Sequence, residues 1–259
     1  MNRRVIAFDL DGTLAVTKSP ISEVMADQLR RLLTLYDVCV ISGGKFEQFK
    51  VQVIDRLLVA GDRLSRLHIM PTSGTSYLRF DPPSSEWALQ YSMNLSEDDR
   101  SEIFQVLTSG ARDLGYWEFS PDGNIIEDRG SQVTFSALGQ EASPERKHAW
   151  DPDGSKKNAL RDYAAQRLPD LEVRVGGTTS VDVTAAGIDK SFGMRQLMEA
   201  LGLEREDILF FGDKLDEGGN DYPVKAMGID SIAVSGWEET AIAIQAIVEI
   251  SRTPELAAR

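Results

Sequence analysis

The amino-acid sequence predicts an α/β fold, in which a Rossmann-like parallel sheet forms a core and an α+β module is inserted into it. Short apolar runs alternate with helix-like patterns over residues 4–70, and this alternation returns after residue 188. Between these regions the pattern changes, because a helix is followed by several strand-like pieces. We therefore expect a core of residues 1–81 and 187–259 and an inserted module of residues 82–186.

Strands and helices alternate in the first part of the core. Apolar runs predict strands at residues 4–8, 37–41 and 67–70. Apolar residues at helical spacing predict helices at residues 22–36, with Ser22 as the N-cap candidate, and at residues 46–58. The stretch Asp-Pro-Pro-Ser-Ser at residues 81–85 is interpreted as a linker to the inserted module.

The inserted module begins with a helix, which Ser96 and Asp99 can cap. The predicted strands that follow are residues 116–119, 124–128, 131–137, 172–175 and 180–184, and a second helix is predicted at residues 155–168. The α/β alternation then returns. It predicts helices at residues 190–201 and 238–250 and buried strands at residues 208–211 and 231–234.

Composition and charge indicate which classes of function are unfavourable for this chain. The 259-residue chain carries a formal net charge of −13, which argues against generic binding to nucleic acid or to an anionic membrane. No apolar run is long enough to span a bilayer, and the N-terminus lacks the long apolar stretch of a signal peptide, so a cytoplasmic enzyme is expected. The single cysteine, Cys39, lies in an apolar strand pattern and is interpreted as a buried thiol rather than a nucleophile.

Acidic residues stand where predicted strands end. Asp9 and Asp11 follow the first strand, and Asp213 follows the strand at 208–211. The carboxyl ends of parallel strands meet at one edge of a sheet, so these side chains can share a site. Clustered carboxylates repel one another unless a cation neutralises them, and such oxygen ligands suit Mg²⁺. A calcium loop or an Asp-Gly turn is the alternative, but the remaining ligands of an EF-hand loop are missing after Gly12.

Four short motifs, in order along the chain, resemble those of the haloacid dehalogenase superfamily. They are Phe8–Leu14, Ile41–Gly44, Lys190, and Gly212-Asp213 with Gly219–Asp221. The insertion between the second and third motifs is similar to the superfamily branch that has a large α/β cap. Four further segments resemble the eukaryotic-type phosphomannomutases of that branch: Phe210–Lys214, Gly218–Asp221, Gly176-Gly177 with Ser180–Val183, and Gly187–Lys190.

The resemblance implies a role for each core residue. Asp9 is expected to attack phosphorus and carry the phosphoryl group, while Asp11 acts as general acid and then general base. Ser42 and Lys190 are expected to hold the phosphoryl oxygens. The expected Mg²⁺ ligands are Asp9, Asp11 (through its backbone carbonyl), Asp213 and Asp221, and the expected core-side substrate contacts are Lys18, Gly43 and Asn220. Taken singly, Ser42 could end a strand, Lys190 could be an exposed first-turn residue, and Asp221 could be a polar loop residue.

The expected substrate contacts of the cap are Arg129, Arg146, Ser180 and Asp182. In phosphomannomutases, cap arginines bind the phosphate that does not react. This chain departs from the family pattern at two positions: Gln140 stands where the cap has an arginine, and Lys18 stands where the core has an arginine after the first motif. Replacing a guanidinium by a neutral amide removes a bidentate, charge-assisted contact and weakens binding of a second phosphate. Solvated surface charge is the alternative interpretation of Arg129 and Arg146.

These departures make a Mg²⁺-dependent sugar-phosphate phosphatase the main hypothesis, because a phosphatase needs only water at the second step. A phosphomannomutase that interconverts hexose 1- and 6-phosphates is the alternative. A non-enzymatic binding module is a third hypothesis, and the chemically competent catalytic positions argue against it. Because related mutases dimerise through their caps, the resemblance also implies a homodimer.

Overall fold

A computed structural model describes residues 3–252 of the protein. The strands are β1 (Val5–Phe8), β2 (Asp37–Ile41), β3 (Leu67–Met70), β4 (Ser76–Asp81), β5 (Glu86–Ser92), β6 (Ile126–Asp128), β7 (Gln132–Ser136), β8 (Leu171–Val175), β9 (Ser180–Ala185), β10 (Ile208–Gly212) and β11 (Asp230–Ala233). The helices are α1 (Glu23–Leu32), α2 (Phe46–Phe49), α3 (Asp55–Leu57), α4 (Gly61–Leu64), α5 (Glu97–Asp113), α6 (Pro144–Trp150), α7 (Ser155–Ala165), α8 (Lys190–Leu201), α9 (Tyr222–Ala226) and α10 (Trp237–Arg252). A π-helical segment, Lys50–Ile54, joins α2 to α3.

The chain forms two compact units: a core unit, made of the residues up to Ser92 and from Asp189 onward, and an inserted unit, Met93–Ile188. The interpretation of residues 81–85 as a linker is wrong, because β4 and β5 pair antiparallel on either side of this turn and extend the core sheet. The pairing brings Phe80 beside Trp87, with ring centroids 5.7 Å apart. Proline- and serine-rich turns and linkers share a composition, so only the pairing of the flanking strands distinguishes them.

The core sheet is built mainly from parallel strands, which confirms the predicted Rossmann-like α/β core. Its strand order is β11-β10-β1-β2-β3-β4-β5, and the first five strands in this order are parallel. One face packs on α1 and α10, and the other packs on α8 and α9. Because helices cover both faces, β1, β3 and β10 are buried along their whole length.

Burial in the core sheet agrees with the prediction at β2 and contradicts it at β11. Cys39 in β2 is fully buried, and the loss of hydration raises the pKa of its thiol, so the side chain is structural. The prediction of a buried strand at residues 231–234 is wrong. β11 lies at the edge of the sheet, where neighbours on one side only leave most of its residues exposed.

Capping residues explain where two helices begin. Ser22 accepts a hydrogen bond from the backbone N–H of Met25 at 3.2 Å, as expected for the N-cap of α1. Ser96 and Asp99 form the reciprocal capping box that starts α5. The predicted helix at residues 46–58 forms as α2, the π-helical segment and α3. Within residues 3–252, no helix is both long enough and apolar enough to cross a membrane.

The inserted unit is a four-stranded antiparallel sheet with helices on one face. Its strand order is β6-β7-β9-β8, and α5 and α7 pack on it through an apolar cluster that includes Phe135 and Val183. The prediction of a strand at residues 116–119 is wrong. The backbone N–H groups of Tyr116 and Trp117 both donate to the carbonyl oxygen of Ala111, so this segment closes the end of α5 instead of joining the sheet.

Candidate active site

The ends of three parallel strands place polar side chains at one edge of the core sheet. Asp9 follows β1, Ser42 follows β2, and Asp213 follows β10. Lys190 is the first residue of α8. Carboxylate oxygens of Asp9, Asp213 and Asp221 lie within 4.8 Å of one another. Asp9 and Asp213 thus meet, as their positions at strand ends predict.

A buried ammonium group links two of these carboxylates. Lys190 Nζ donates to Asp9 Oδ1, and it donates to Asp221 Oδ1 at 2.5 Å. The exposed fractions of the Lys190, Asp9 and Asp221 side chains are 2%, 3% and 0%. The interpretation of Lys190 as an exposed first-turn residue is therefore wrong. Buried ions are costly to desolvate, so each member of this group depends on the others.

Burial and mutual charge shift the ionisation of the cluster. Burial raises the pKa of Asp9 to about 7, although the charge of Lys190 opposes the rise and that of Asp221 adds to it. Burial alone would lower the pKa of Lys190, but the charges of Asp221 and Asp9 outweigh it and raise this pKa. Three carboxylates facing one ammonium leave negative charge in excess. The cluster is therefore suited to bind a cation.

Asp213 has the features of a metal ligand. Its Oδ1 is buried and accepts no hydrogen bond from residues 3–252. Burial raises the pKa of the Asp213 carboxyl, because the charged form loses hydration. A buried carboxylate oxygen without a partner is unfavourable unless a cation binds it, and hard oxygen ligands suit Mg²⁺. The residues present therefore fit a Mg²⁺ ion held by Asp9 and Asp213.

Asp221 is bound to protein groups through both carboxylate oxygens. Oδ1 accepts from Lys190, and Oδ2 accepts from the backbone N–H of Lys214 at 3.0 Å. This arrangement holds Lys190 against Asp9 and suits a water-mediated role toward a cation. Of the other expected core-side contacts, Gly43 is half-buried, whereas Lys18 and Asn220 are exposed.

Asp11 lies outside the group of three carboxylates. Its carboxylate accepts hydrogen bonds from the backbone N–H of Lys18 and from the side-chain amides of Gln48 and Gln52. Neither glutamine was predicted from the sequence to be a site residue. Their only signal is a spacing of four residues in the predicted helix at 46–58, which places both on one helical face.

The loop after β2 is braced by a strained turn that follows β3. Thr72, Ser73 and Gly74 have positive φ angles of 49°, 58° and 86°. The N–H of Ser73 donates to the carbonyl oxygen of Ser42 at 2.9 Å. The N–H of Thr72 donates to the carbonyl oxygen of Gly44 at 3.0 Å. Residues other than glycine adopt this conformation at a cost, so the turn stores strain beside the candidate site.

Two further contacts, also absent from the sequence analysis, fix Lys190 and Asp9. A Cβ atom added to Gly74 would lie 2.3 Å from the Cα of Gly193, so α8 packs backbone to backbone on the turn. Thr13 Oγ1 donates to Asp9 Oδ2 at 3.2 Å. The signal for Thr13 was its place in the first motif, whereas the contact between the glycines left no sequence signal.

The predicted polar residues of the inserted unit share one face of its sheet. Asp182 in β9 stands opposite Thr134 in β7, and Thr134 Oγ1 donates to Asp182 Oδ1 at 2.8 Å. Ser180 stands opposite Ser136 in the same pair of strands. The residues between them are apolar and pack with α5 and α7. The strand pairing therefore brings Ser180 and Asp182 onto the face opposite the helices.

The two predicted cap arginines have different surroundings. Arg129 pairs with Glu127 at 2.8 Å, and its side chain is 9% exposed. Arg146 pairs with Asp122, and its side chain is 53% exposed. Solvated surface charge, the alternative interpretation of both arginines, therefore describes Arg146 better than Arg129.

Similarity to known proteins runs along most of the chain. A model of the family described as eukaryotic phosphomannomutase matches residues 119–249. The chain is 27% identical over 246 residues to the phosphomannomutase of Encephalitozoon cuniculi (strain GB-M1), which covers 92% of this chain and 91% of the relative. It is 24% identical over 234 residues to the probable phosphomannomutase of Caenorhabditis elegans, which covers 87% of each chain. Identity to the Schizosaccharomyces pombe phosphomannomutase is 26% over 229 residues, covering 86% of this chain and 85% of the relative.

Solved structures share the fold at low sequence identity. Plasmodium falciparum IMP-nucleotidase has a TM-score of 0.72 at 14% identity, over 97% of this chain and 70% of that chain. A haloacid dehalogenase-like hydrolase from Bacteroides thetaiotaomicron has a TM-score of 0.63 at 18% identity, over 95% of this chain and 99% of that chain. At these identities the likeness concerns the fold alone, and it confirms the haloacid dehalogenase-like core.

Proposed function

This chain belongs to the eukaryotic phosphomannomutase family, and from that premise we propose a Mg²⁺-dependent mutase that moves the phosphoryl group of a hexose phosphate through a phospho-aspartate on Asp9. Family and fold make the chain a phosphoryl-transfer enzyme. The observation that carries the mechanism is the buried pairing of Asp9 with Lys190 beside Asp213. The relatives are phosphomannomutases, which favours the mutase over the phosphatase that was the main hypothesis from the sequence.

The first half-reaction transfers the phosphoryl group to the enzyme. A carboxylate oxygen of Asp9 attacks phosphorus, the bond from phosphorus to the ester oxygen breaks, and Asp11 gives that oxygen a proton. Lys190 presents its ammonium group in a site that water does not screen, and Ser42 holds a phosphoryl oxygen. Asp9, Asp213 and the backbone carbonyl of Asp11 would hold a Mg²⁺ ion, which would supply positive charge between the carboxylate and the phosphate.

The second half-reaction returns the phosphoryl group to a substrate. A sugar hydroxyl gives its proton to Asp11 as the hydroxyl oxygen attacks the phosphorus on Asp9, and the carboxylate of Asp9 is restored. In a phosphatase, water takes the place of that hydroxyl. The two activities use the same core residues and differ in the acceptor. We assign sugar binding to Arg129, Ser180 and Asp182 of the inserted unit.

A sugar-phosphate phosphatase is the second candidate, and the surroundings of the cap arginines favour it. Gln140 stands where the family pattern has an arginine. Arg146 is largely exposed and paired with Asp122. Both features reduce the positive charge that would bind a second phosphate. A mutase needs that binding while its bisphosphate intermediate reorients in the site.

Product analysis separates the two candidates. The full chain is incubated with mannose 1-phosphate and Mg²⁺, with and without a hexose bisphosphate, and the products are identified by NMR. A mutase gives mannose 6-phosphate, depends on the bisphosphate and releases little inorganic phosphate. A phosphatase gives free mannose and inorganic phosphate in both conditions. If neither product forms with this or any other hexose phosphate, the proposed function is wrong.

Membership of the family supports two further proposals. We propose that two copies associate through the inserted unit and that the enzyme acts in the cytoplasm. Sedimentation of the full chain over a range of micromolar concentrations tests the first proposal. A single species with the mass of one chain at every concentration would contradict it. Fractionation of the source cells tests the second, and recovery with membranes would contradict it.

A further inference from the structure

Three N–H donors from two parts of the chain converge on the carboxylate of Asp11. Oδ1 accepts from the backbone N–H of Lys18 at 2.7 Å and from Gln52 Nε2 at 3.2 Å. Oδ2 accepts from Gln48 Nε2 at 3.1 Å. Lys18 has a φ of 58°, an uncommon conformation for a residue other than glycine. Donors on both oxygens fix the carboxylate in one orientation.

The amide of Gln52 can turn its nitrogen in only one direction. Nε2 donates both to Asp11 Oδ1 and to the carbonyl oxygen of Ser19 at 2.6 Å, and a carbonyl oxygen can only accept. The Oε1 atom of Gln52 is buried and accepts no hydrogen bond from residues 3–252. Burying an acceptor without a partner costs free energy, so the contacts of the amide nitrogen must offset that cost.

The two glutamines come from a helix of unusual form. Gln52 lies in the π-helical segment Lys50–Ile54, and Gln48 lies in α2 just before it. π-helical turns are rare, and many of them occur at functional sites. Gly44, in the loop after β2, leaves room for the amide of Gln48, since a Cβ atom added to Gly44 would lie 2.4 Å from Gln48 Oε1. This helix thus brings two amides to one carboxylate.

We infer that Gln48 and Gln52 are positioning residues, which hold Asp11 so that its Oδ2 exchanges the proton with the substrate. Oδ1 accepts two hydrogen bonds and Oδ2 accepts one, so a lone pair of Oδ2 stays available. Oδ2 gives its proton to the ester oxygen as that oxygen leaves phosphorus and a carboxylate oxygen of Asp9 bonds to the phosphorus. In the return step, Oδ2 takes the proton of the attacking hydroxyl. The inference rests on the proposed acid–base role of Asp11.

A positioning role and a purely structural role differ in their dependence on the leaving group. Loss of helix packing slows every substrate alike. Loss of orientation at Asp11 slows only those esters whose leaving oxygen needs a proton. Phenyl phosphate and p-nitrophenyl phosphate are similar in shape, but the nitro group lets the second leave readily as an anion. Comparison of these two esters therefore isolates the proton transfer.

The experiment measures kcat/KM for both esters with Mg²⁺ in the wild-type, Gln48→Met and Gln52→Met enzymes. Methionine keeps the length of the side chain and removes its N–H donors. We expect kcat/KM for phenyl phosphate to fall about tenfold, and that for p-nitrophenyl phosphate to fall less than about twofold. Gln90→Met, at an exposed position on β5, is the matched control and should change neither value.

Equal losses for both esters, or no loss for either, would overturn the inference. Thermal unfolding identifies a variant that has lost its fold, and Gln48→Asn, whose amide is too short to reach Asp11, then replaces it with the same expected selectivity. Neither ester contains a sugar. The comparison therefore holds even if the wild-type enzyme fails to act on hexose phosphates, a result that would contradict the proposed function alone.

Discussion

The two sheets of this protein carry their polar side chains in different places. In the core unit, helices cover both faces, and the polar residues lie beyond the strand ends, as Asp9 and Asp213 do. In the inserted unit, helices pack on one face, and polar residues such as Thr134 and Asp182 occupy alternate positions within the strands. A sheet with helices on both faces thus carries these polar side chains at one edge, whereas a sheet with helices on one face carries them on the opposite face, where Thr134 and Ser136 are nevertheless buried.

The two units should respond differently to substitution. Charges gathered at one edge of the core are buried and depend on one another, so single changes there should be severe. The polar groups that we propose for sugar binding are spread over a sheet face, so single changes in the inserted unit should be milder and should act on substrate binding.

Replacing Asp9, the proposed nucleophile, should have the largest effect. Asp9→Asn removes the attacking carboxylate and should lower the turnover of a hexose phosphate by at least about a thousandfold, because no phospho-aspartate can form. Intact mass spectrometry should show a phosphoenzyme in the wild type alone. Asp62→Asn, at an exposed position on α4, is the matched control. An active Asp9→Asn enzyme would contradict the proposal that catalysis takes place at this edge of the core sheet.

Removing the buried cation should destabilise the core unit. Lys190→Met leaves Asp9 and Asp221 buried without their partner, and we expect the free energy of unfolding to fall by about 3–5 kcal/mol. Urea denaturation at pH 8 in EDTA measures it. Lys50→Met breaks an exposed pair with Asp55 and should cost less than about 1 kcal/mol. Similar losses in both variants would mean that burial at the strand ends does not matter.

Stability without metal should decrease as the pH rises. The pKa of Asp9 is raised from 3.8 to about 7 in the folded protein, so the folded state binds more protons than the unfolded state between these values. In EDTA, the free energy of unfolding should therefore fall from pH 4 toward pH 7 relative to that of Asp9→Asn. Added Mg²⁺ should offset the loss near pH 7. A rise of the difference with pH would contradict the raised pKa.

Substitutions in the inserted unit should act mainly on KM. Arg129→Gln removes a largely buried guanidinium and should raise KM for a hexose phosphate about tenfold, with little change in kcat. Arg146→Gln, at a largely exposed position, should raise KM by less than about threefold. Steady-state kinetics measure both. Should the exposed arginine have the larger effect, the assignment of sugar binding within this unit would need to be redrawn.

Relief of the strained turn should have the smallest effect. Ser73 has a φ of 58°, and glycine adopts this conformation without a steric cost. Ser73→Gly should raise the free energy of unfolding by up to about 1 kcal/mol. Ser65→Gly, at a position with a φ of −63°, should lower it. Urea denaturation compares the two, and a destabilised Ser73→Gly protein would show that the turn carries no strain.

Apolar patterns in the sequence correctly predict the core strands and the polar residues that follow them. The positions of Asp9, Ser42 and Asp213 follow from apolar strands that stop, because parallel strands deliver their ends to one edge. The hairpin of β4 and β5 could not be separated from a linker, since the turn at residues 82–85 has the composition of both. The strand expected at 116–119 failed because long-range pairing, not propensity, decides whether an apolar segment joins a sheet.

Side-chain contacts across the site were beyond prediction for a different reason. Gln48 and Gln52 share one helical face by their spacing, but that spacing does not show that the face meets Asp11 or that Gln52 lies in a π-helical segment. The strain at Thr72 and Ser73 was equally hidden, since neither residue type favours a positive φ. Such features depend on the packed structure.

The position of the Lys190 ammonium group depends on a contact between two backbone segments, because Gly74 packs closely against Gly193 in α8. Even a methyl group at either glycine would act as a wedge between the turn and α8. Because α8 begins at Lys190, a shift of this helix would also move the ammonium group that contacts Asp9, while every proposed catalytic residue stays in the sequence. We therefore expect alanine at either glycine to lower activity, although neither position is among the proposed substrate or metal contacts.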